Sequence, residues 1–446
     1  MDPIIPRQWT GRFKKALIVE NPDPTLDDHL RKLGIEPHRV DDAPDEDELV
    51  RILEEGQHQL IFKRSRVLIT ERVVRASSAL AGVMLCCIGD DSVDKEACAR
   101  HGVVVTNDPV SNGRSVAELV IGELIALSRR LFDSVREMDQ NIWVKDTKSR
   151  YEVLGKRLGI VGLGQIGRQV AQLATAMGME VLFYDDAVIP REIGIAMGYG
   201  ACDSLAQLIE SSDFVTIHVS PTDADGKSNE NLFNYDVFRG FEKRPKKSGP
   251  RIVLNLSRGF VFQPDDLRRA VADGLVTYAI TDVFPEEPMA SVDKAWANPY
   301  GGEPRIFSTP HIGASTLEAQ PRIARYVART TELLTKLGML RNCVFRPRAS
   351  IEFEVPPEAR HMLAVVHVDK RGTKKAVDDA IYRSGANNLR SSHIDFPDFG
   401  VAYELSALDR GLTPDDVAAL VADAGQLTGV SNAIRHIRAI PLTTGS

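Results

Sequence analysis

Four short stretches of this chain hold residues whose types and spacing could do chemistry. GLGQIG places Gly162, Gly164 and Gly167 in a G-x-G-x-x-G spacing. LNLSRGF carries Arg258, TDVFPEEP carries Glu287, and STPHIGAST carries His311. The last three fit one reaction. A hydride cannot leave a hydroxylated carbon unless the hydroxyl proton is removed as well, and an imidazole that titrates near neutral pH is suited to take it. Glu287 would hydrogen-bond the other ring nitrogen, fix the tautomer and stabilise the imidazolium. Arg258 would clamp a substrate carboxylate and polarise the carbonyl oxygen in the reverse direction. Each residue has a plainer alternative. Arg258 could be a surface cation after a strand, His311 a structural histidine, and Glu286 competes with Glu287 for its role.

The glycines gain meaning from their surroundings. Leu158 to Val161 reads as a buried strand, and Ile166, Val170, Leu173 and Met177 recur at helical spacing. A second strand, Glu180 to Tyr184, ends at Asp185. This is the dinucleotide-binding pattern. Gly162 permits a tight turn, Gly164 lets the backbone approach a pyrophosphate, and Gly167 lets helix and strand pack closely. Gln165 and Ile166 open the helix, whose N-terminus offers free amides and a positive dipole end. Asp185 would accept from ribose hydroxyls and repel a 2'-phosphate, so NAD is favoured over NADP. Asp282, at the head of DVFPEEP, joins the cofactor set.

These residues need elements to position them. Residues 16–110 alternate strand and helix signals, giving an α/β unit with its own parallel sheet. One long helix is expected over 115–138 and another after His311. The predicted architecture is two Rossmann-like doubly wound parallel-sheet domains, one inserted in the other, with the active site in the cleft between them. The substrate-binding domain comprises 1–112 and 318–346, and the NAD-binding domain spans 113–317. A linker, 347–358, leads to a βαββαβ ferredoxin-like domain over 359–446. Its second helix has a start signal in Thr413, Pro414, Asp415 and Asp416.

Composition bounds the partners. The chain has 446 residues, 43% of them hydrophobic, and a net charge of −7. That balance argues against nucleic acid or an anionic membrane as a partner. No apolar run approaches the roughly 18 residues that span a bilayer. The N-terminal stretch is too polar for a signal peptide, so a cytoplasmic protein is expected. The five cysteines fit neither a disulfide framework nor a metal site, and no metal ligands are assigned.

The motifs GIVGLGQIG, SNGRSVAELVIGEL, LNLSRG, DVFPEEP and TPHIGAST, with RSR at 64–66, are those of a known family. From about residue 15 to its end the chain resembles the D-isomer-specific 2-hydroxyacid dehydrogenases, in particular the branch with a C-terminal ACT domain. The resemblance implies that Arg258, Glu287 and His311 form the catalytic set. It implies oxidation of 3-phosphoglycerate, a phosphorylated hydroxyacid, and self-association as a dimer or tetramer. Substrate contacts carried over are Arg64, Arg66, Asn112, Arg39 and Lys145, with the backbone around Ile88 and Gly89 holding the carboxylate. Asp90 and Asp91 stand where relatives carry neutral residues, which is awkward for an anionic substrate unless they point away or pair with a cation. In the ACT domain, His367 and Asn387 match an effector site that binds serine in relatives, but Asp369 replaces an Asn. Serine control is expected to be weakened, lost or retuned. Two alternatives stand beside this: a related dehydrogenase acting on hydroxypyruvate, glyoxylate or another phosphorylated acid, and a non-enzymatic NAD-sensing scaffold.

Overall fold

Apolar runs of four residues bounded by turns become buried strands, and the helical periodicities become the layers that cover them. The computed structural model describes residues 7–40, 42–244, 249–288 and 295–442. One sheet runs, edge to edge, Ala349–Ile351, Leu340–Cys343, Val104–Asn107, Gly82–Leu85, Leu60–Lys63, Lys15–Ile18 and Glu36–Arg39. The last five strands are parallel; Leu340–Cys343 adds antiparallel to Val104–Asn107, and Ala349–Ile351 adds antiparallel to Leu340–Cys343. Every residue of Leu60–Lys63 and Gly82–Leu85 is buried, as a parallel sheet covered on both faces requires. The strand Glu36–Arg39 was not expected: EPHR lacks the apolar signal, and its outer position explains why it can.

The second sheet has the order Ile306–Ser308, Tyr278–Thr281, Ile252–Asn255, Phe214–Ile217, Arg157–Val161, Glu180–Tyr184 and Gly200–Ala201, all parallel. The chain winds one way from Arg157–Val161 through Glu180–Tyr184 and the other way from Phe214–Ile217. The carboxyl ends of strands at such a reversal are where ligands bind in open α/β sheets. The single helix expected over 115–138 is two, Gly113–Ser128 and Leu131–Asp139. Arg130 breaks it with a left-handed backbone (φ 53°) and pairs with Asp133 and Glu137 of the next turns.

The C-terminal βαββαβ order is realised as His361–Val368, Thr373–Arg383, Asn388–Phe396, Val401–Leu408, Pro414–Thr428 and Ile434–Pro441. Thr413 caps its helix with a full capping box to Asp416. The surprise is a fifth strand. Arg7–Thr10 pairs in parallel with Ile434–Pro441, Arg7 opposite His436. The buried Arg7 guanidinium then donates to the carbonyls of Val74, Ser77 and Leu80. His436 bonds the Gly102 carbonyl at 3.0 Å, and the buried Arg438 lies over the Phe13 ring. These ties lie within one of the chain's two compact units: Met1–Ser111 with Gln320–Ser446 form one, and Asn112–Ala319 the other. The basic insertion at 240–250 is not simply solvated. Phe241 is core and Arg244 is buried on Asp213, while 245–248 lie outside the described residues.

Candidate active site

The glycine turn follows Arg157–Val161 in the unit Asn112–Ala319. Gly162 has φ 88°, and a Cβ there would sit 2.5 Å from the His218 carbonyl oxygen. A Cβ on Gly167 would sit 2.2 Å from the Gly162 oxygen, so the helix Gln165–Ala176 rests on the turn itself. Around Gly164 nothing lies within 4 Å of that position. No side chain caps the helix, so the amides around Gln165 and Ile166 face outward. Asp185 accepts from the Leu163 amide at 2.7 Å and the Ala187 amide at 2.9 Å. Burial raises its pKa, and those amides pull against the shift. Asp185 thus clips the end of Glu180–Tyr184 to the turn.

Two strands of the same sheet deliver the other groups. Asn255 ends its strand and is fully buried. Its Oδ1 accepts from the Ser257 amide at 3.0 Å and its Nδ2 donates to the Arg258 carbonyl at 2.8 Å, which shapes the SRG turn. Gly259 is required next. A Cβ there would be 1.9 Å from the Phe284 carbonyl, so the two loops touch backbone to backbone. Glu287, three residues on, accepts from His311 Nδ1 at 2.8 Å. His311 itself has φ 53°, a conformation that costs a non-glycine residue and that clusters at functional sites. Desolvation lowers its pKa, the bond and charge of Glu287 raise it, and the net shift is upward. Asp282 is buried and spends its carboxylate on the Thr309 hydroxyl (2.6 Å) and the amides of Ile312 and Gly313 (2.8 Å each). It fixes the His311 loop and keeps one acceptor position. An imidazole whose Nδ1–H is held by a carboxylate presents Nε2 as a proton acceptor. The charge of Arg258 opposes its protonation.

One contributor went unnoticed in the sequence. Glu123, inside the helix Gly113–Ser128, is buried with neither carboxyl oxygen bonded. Burial, then the charge of Asp282, push its pKa up to about 8. Only the fold reveals this, because in sequence Glu123 is one acid in a helical face. Asn112, at the head of the same helix, is buried with Oδ1 unpartnered, and Lys145 lies in an exposed stretch.

In the other unit, Arg64 is half-buried and Arg66 exposed in the loop after Leu60–Lys63. Beneath them the fully buried Lys63 donates to the Arg64 carbonyl at 2.8 Å and to Ser92 Oγ at 2.7 Å. The turn with Ile88 and Gly89 follows Gly82–Leu85, and Asn107 donates to the Ile88 carbonyl at 2.6 Å. The awkward Asp90 has its answer: it is buried and paired with Lys95 (2.8 Å) and Arg348. Asp91 is exposed. Arg39 is otherwise engaged. Its guanidinium is spent on Asp27, Asn21 and the Pro22 carbonyl, and a substrate contact would have to break that set.

The geometry has relatives. A family profile described as D-isomer specific 2-hydroxyacid dehydrogenase, NAD binding domain, matches residues 121–313. D-3-phosphoglycerate dehydrogenase of Dictyostelium discoideum is 34% identical over 367 residues, 82% of this chain and 85% of its own. That of Escherichia coli strain K12 is 33% identical over 377 residues, 84% and 86%. The chain belongs to the D-isomer-specific 2-hydroxyacid dehydrogenases. Among solved structures, the pyruvate reductase of Chlamydomonas reinhardtii shares the fold, with a TM-score of 0.60 at 24% identity over 73% of this chain and 97% of that one. The dehydrogenase is NAD-dependent. Its own residues fit that cofactor: glycines a Cβ would jam, open space at Gly164, an uncapped helix N-terminus and the acid at 185. The expected alternative of a non-enzymatic scaffold falls away for a D-2-hydroxyacid dehydrogenase of this family.

Proposed function

We propose that this dehydrogenase oxidises D-3-phosphoglycerate to 3-phosphooxypyruvate, the first step of serine biosynthesis, in the cytoplasm. The reading is carried by the His311–Glu287 pair at 2.8 Å, in a chain one third identical to enzymes named for that substrate. His311 Nε2 takes the proton of the 2-hydroxyl, and Glu287 holds the ring and stabilises the imidazolium. Arg258 clamps the substrate carboxylate. When bound, NAD supplies the hydride acceptor. Gly162, Gly164, Gln165, Ile166 and Gly167 cradle its pyrophosphate, Asp185 takes the ribose hydroxyls, and Asp282 offers its remaining acceptor position. Arg64 and Arg66 are the proposed phosphate cations, with the Ile88–Gly89 backbone and Asn112 as further contacts. The pairing of Asp90 supports an anionic substrate, and Arg39 is dropped from the set. The exposed Asp91 favours a second reading, a hydroxyacid without the phosphate.

The C-terminal βαββαβ sandwich is proposed to be an ACT-type regulatory domain. Its inferred effector residues are not gathered within one chain. His367 is level with Ala402, whereas Asn387 adjoins the residue opposite Leu408, about 20 Å further along at ~3.3 Å per residue. Asp369 is exposed. An effector touching all three would need two chains. Self-association is supported by the helix Leu131–Asp139, which buries no side chain and exposes Leu131, Val135 and Met138 at helical spacing, followed by Trp143 at 77% exposure. Lys145 sits beside that patch and is proposed to serve a neighbouring copy's substrate. Among the described residues no helix is long and apolar enough to cross a membrane.

The test is NADH formation with D-3-phosphoglycerate. Turnover lost in His311→Ala and weakened mainly in KM in Arg64→Ala supports the reading. Activity confined to hydroxypyruvate or glyoxylate moves it to the second.

A further inference from the structure

The C-terminal sheet carries a polar cluster that the reaction does not use. The strand Val401–Leu408 lies between the central strand His361–Val368 and the edge strand Asn388–Phe396. His393 is directly opposite Glu404, and His367 is opposite Ala402, two residues away. Residues two apart on a strand share a face, so all three side chains are neighbours. One ligand atom from each lies within 4.8 Å of the other two. His367 and Glu404 are almost wholly buried, 2% and 1% exposed.

The donor arrangement is specific. His367 Nδ1 lies 2.8 Å from the Val368 carbonyl, which accepts only, so Nδ1 carries the hydrogen and Nε2 is a bare lone pair. That Nε2 is buried with no hydrogen-bond partner. A buried acceptor left unsatisfied costs about 1–3 kcal/mol, so something that accepts a lone pair belongs there. His393 sits between carboxylates, Nδ1 on Glu404 Oε2 at 2.7 Å and Nε2 on Asp395 Oδ1 at 2.6 Å. Glu404 already holds one cation, the Lys374 ammonium at 3.0 and 3.1 Å. The Lys374 side chain is half exposed and can swing away.

We propose that His367 Nε2, His393 Nδ1 and the Glu404 carboxylate form a site for a divalent transition-metal ion of the zinc class. Two imidazoles and a carboxylate suit zinc, cobalt or nickel rather than magnesium or calcium, which take oxygen ligands. Metal bonds of about 2.0–2.2 Å place tetrahedral ligands some 3.3 Å apart, a spacing that small side-chain rotations reach as the His393–Glu404 hydrogen bond opens. The outer ring nitrogens already have their orienting partners, the Val368 carbonyl and Asp395, the arrangement typical around metal-bound histidines. Three protein ligands leave a fourth position for water or a small anionic ligand. The ion would bridge three strands and displace the first turn's Lys374, so it would act on the sandwich and not on the hydride chemistry.

The test uses the full chain, stripped with a chelator and titrated with Zn2+ and Co2+ alone. One equivalent should bind at micromolar affinity or tighter. His393→Leu should weaken it at least a hundredfold. Lys374→Met removes the competing cation and no donor, so it should tighten binding several-fold without depending on how well a histidine variant folds. Zn2+ binding that is absent, that survives His393→Leu, or that loosens in Lys374→Met would overturn the proposal. So would a Co2+ spectrum with thiolate charge-transfer bands, which would assign the ion to cysteine.

Discussion

Arg348 donates a hydrogen bond to Asp90, so the segment leading into the C-terminal sandwich neutralises an acid in the turn after Gly82–Leu85. Lys95 pairs with the other oxygen, and Asp90 is buried under both. Removing Arg348 leaves that carboxylate half compensated, next to the backbone proposed to hold an anion. Arg348→Ala should raise KM for phosphoglycerate about fivefold, on the order of 1 kcal/mol, with kcat nearly unchanged. Steady-state kinetics at low and high salt would show it. An unchanged KM would mean the turn does not meet the substrate's charge.

Glu287 raises the pKa of His311. With His311 as the proposed base, oxidation needs the neutral imidazole, so activity should rise with pH through that pKa. In Glu287→Gln the carboxylate's charge is gone, and the rising limb of kcat/KM should move to lower pH. The rate on the plateau should fall roughly a hundredfold, since the imidazolium loses its stabilising partner. A limb that stays in place would remove Glu287 from the control of His311.

Gly259 has no room for a side chain, because the Phe284 carbonyl lies where a Cβ would go. Backbone, not a flexible tip, must yield. Gly259→Ala should pull the Arg258 turn away from the loop that carries Glu287, costing about 3 kcal/mol or more of stability and most of kcat. Calorimetry and kinetics on the purified variant would measure both. A variant with native Tm and rate would show the loops to be far softer than their packing.

Glu123 gives a signature in the stability of the protein. Its folded pKa is raised to about 8 from 4.5, so between these values the folded state keeps a proton that the unfolded state releases. Stability therefore falls as pH rises through that window. Glu123→Gln keeps the shape and removes the proton, so the decline between about pH 5 and 8 should flatten, by several kcal/mol across the window. Denaturant titrations at three pH values would decide, and parallel slopes in both proteins would refute the buried neutral acid.

Local spacing made much of this legible. The glycine turn, its helix and Asp185 fall within one βαβ stretch, and the role proposed for each residue follows from that short-range pattern. Arg258, Glu287 and His311 each follow a strand signal, but that spacing leaves plainer roles and Glu286 open; the family motifs single out the trio, and in the structure Glu287 is the acid bonded to His311. Features made by distant residues stayed hidden. Nothing near Asp90 announces Arg348, nothing near Glu123 announces its burial beside Asp282, and His367, His393 and Glu404 meet only through strand register. Arg130 hid the break in the long helix, because arginine is an ordinary helix former whose left-handed backbone has no sequence mark.

The strand Arg7–Thr10 finds its partner in Ile434–Pro441, nearly the whole length of the described chain away. During synthesis at about 5–20 residues per second, it waits on the order of a minute for that partner to exist. Until then the strand has no ladder to join, although the carbonyls of Val74, Ser77 and Leu80 that take the Arg7 guanidinium are made early. The pairing of Arg7–Thr10 is thus timed by the synthesis of Ile434–Pro441. A ribosome stalled before residue 434 would hold a chain in which Arg258, Glu287 and His311 have all been made while the strand Arg7–Thr10 still lacks its ladder.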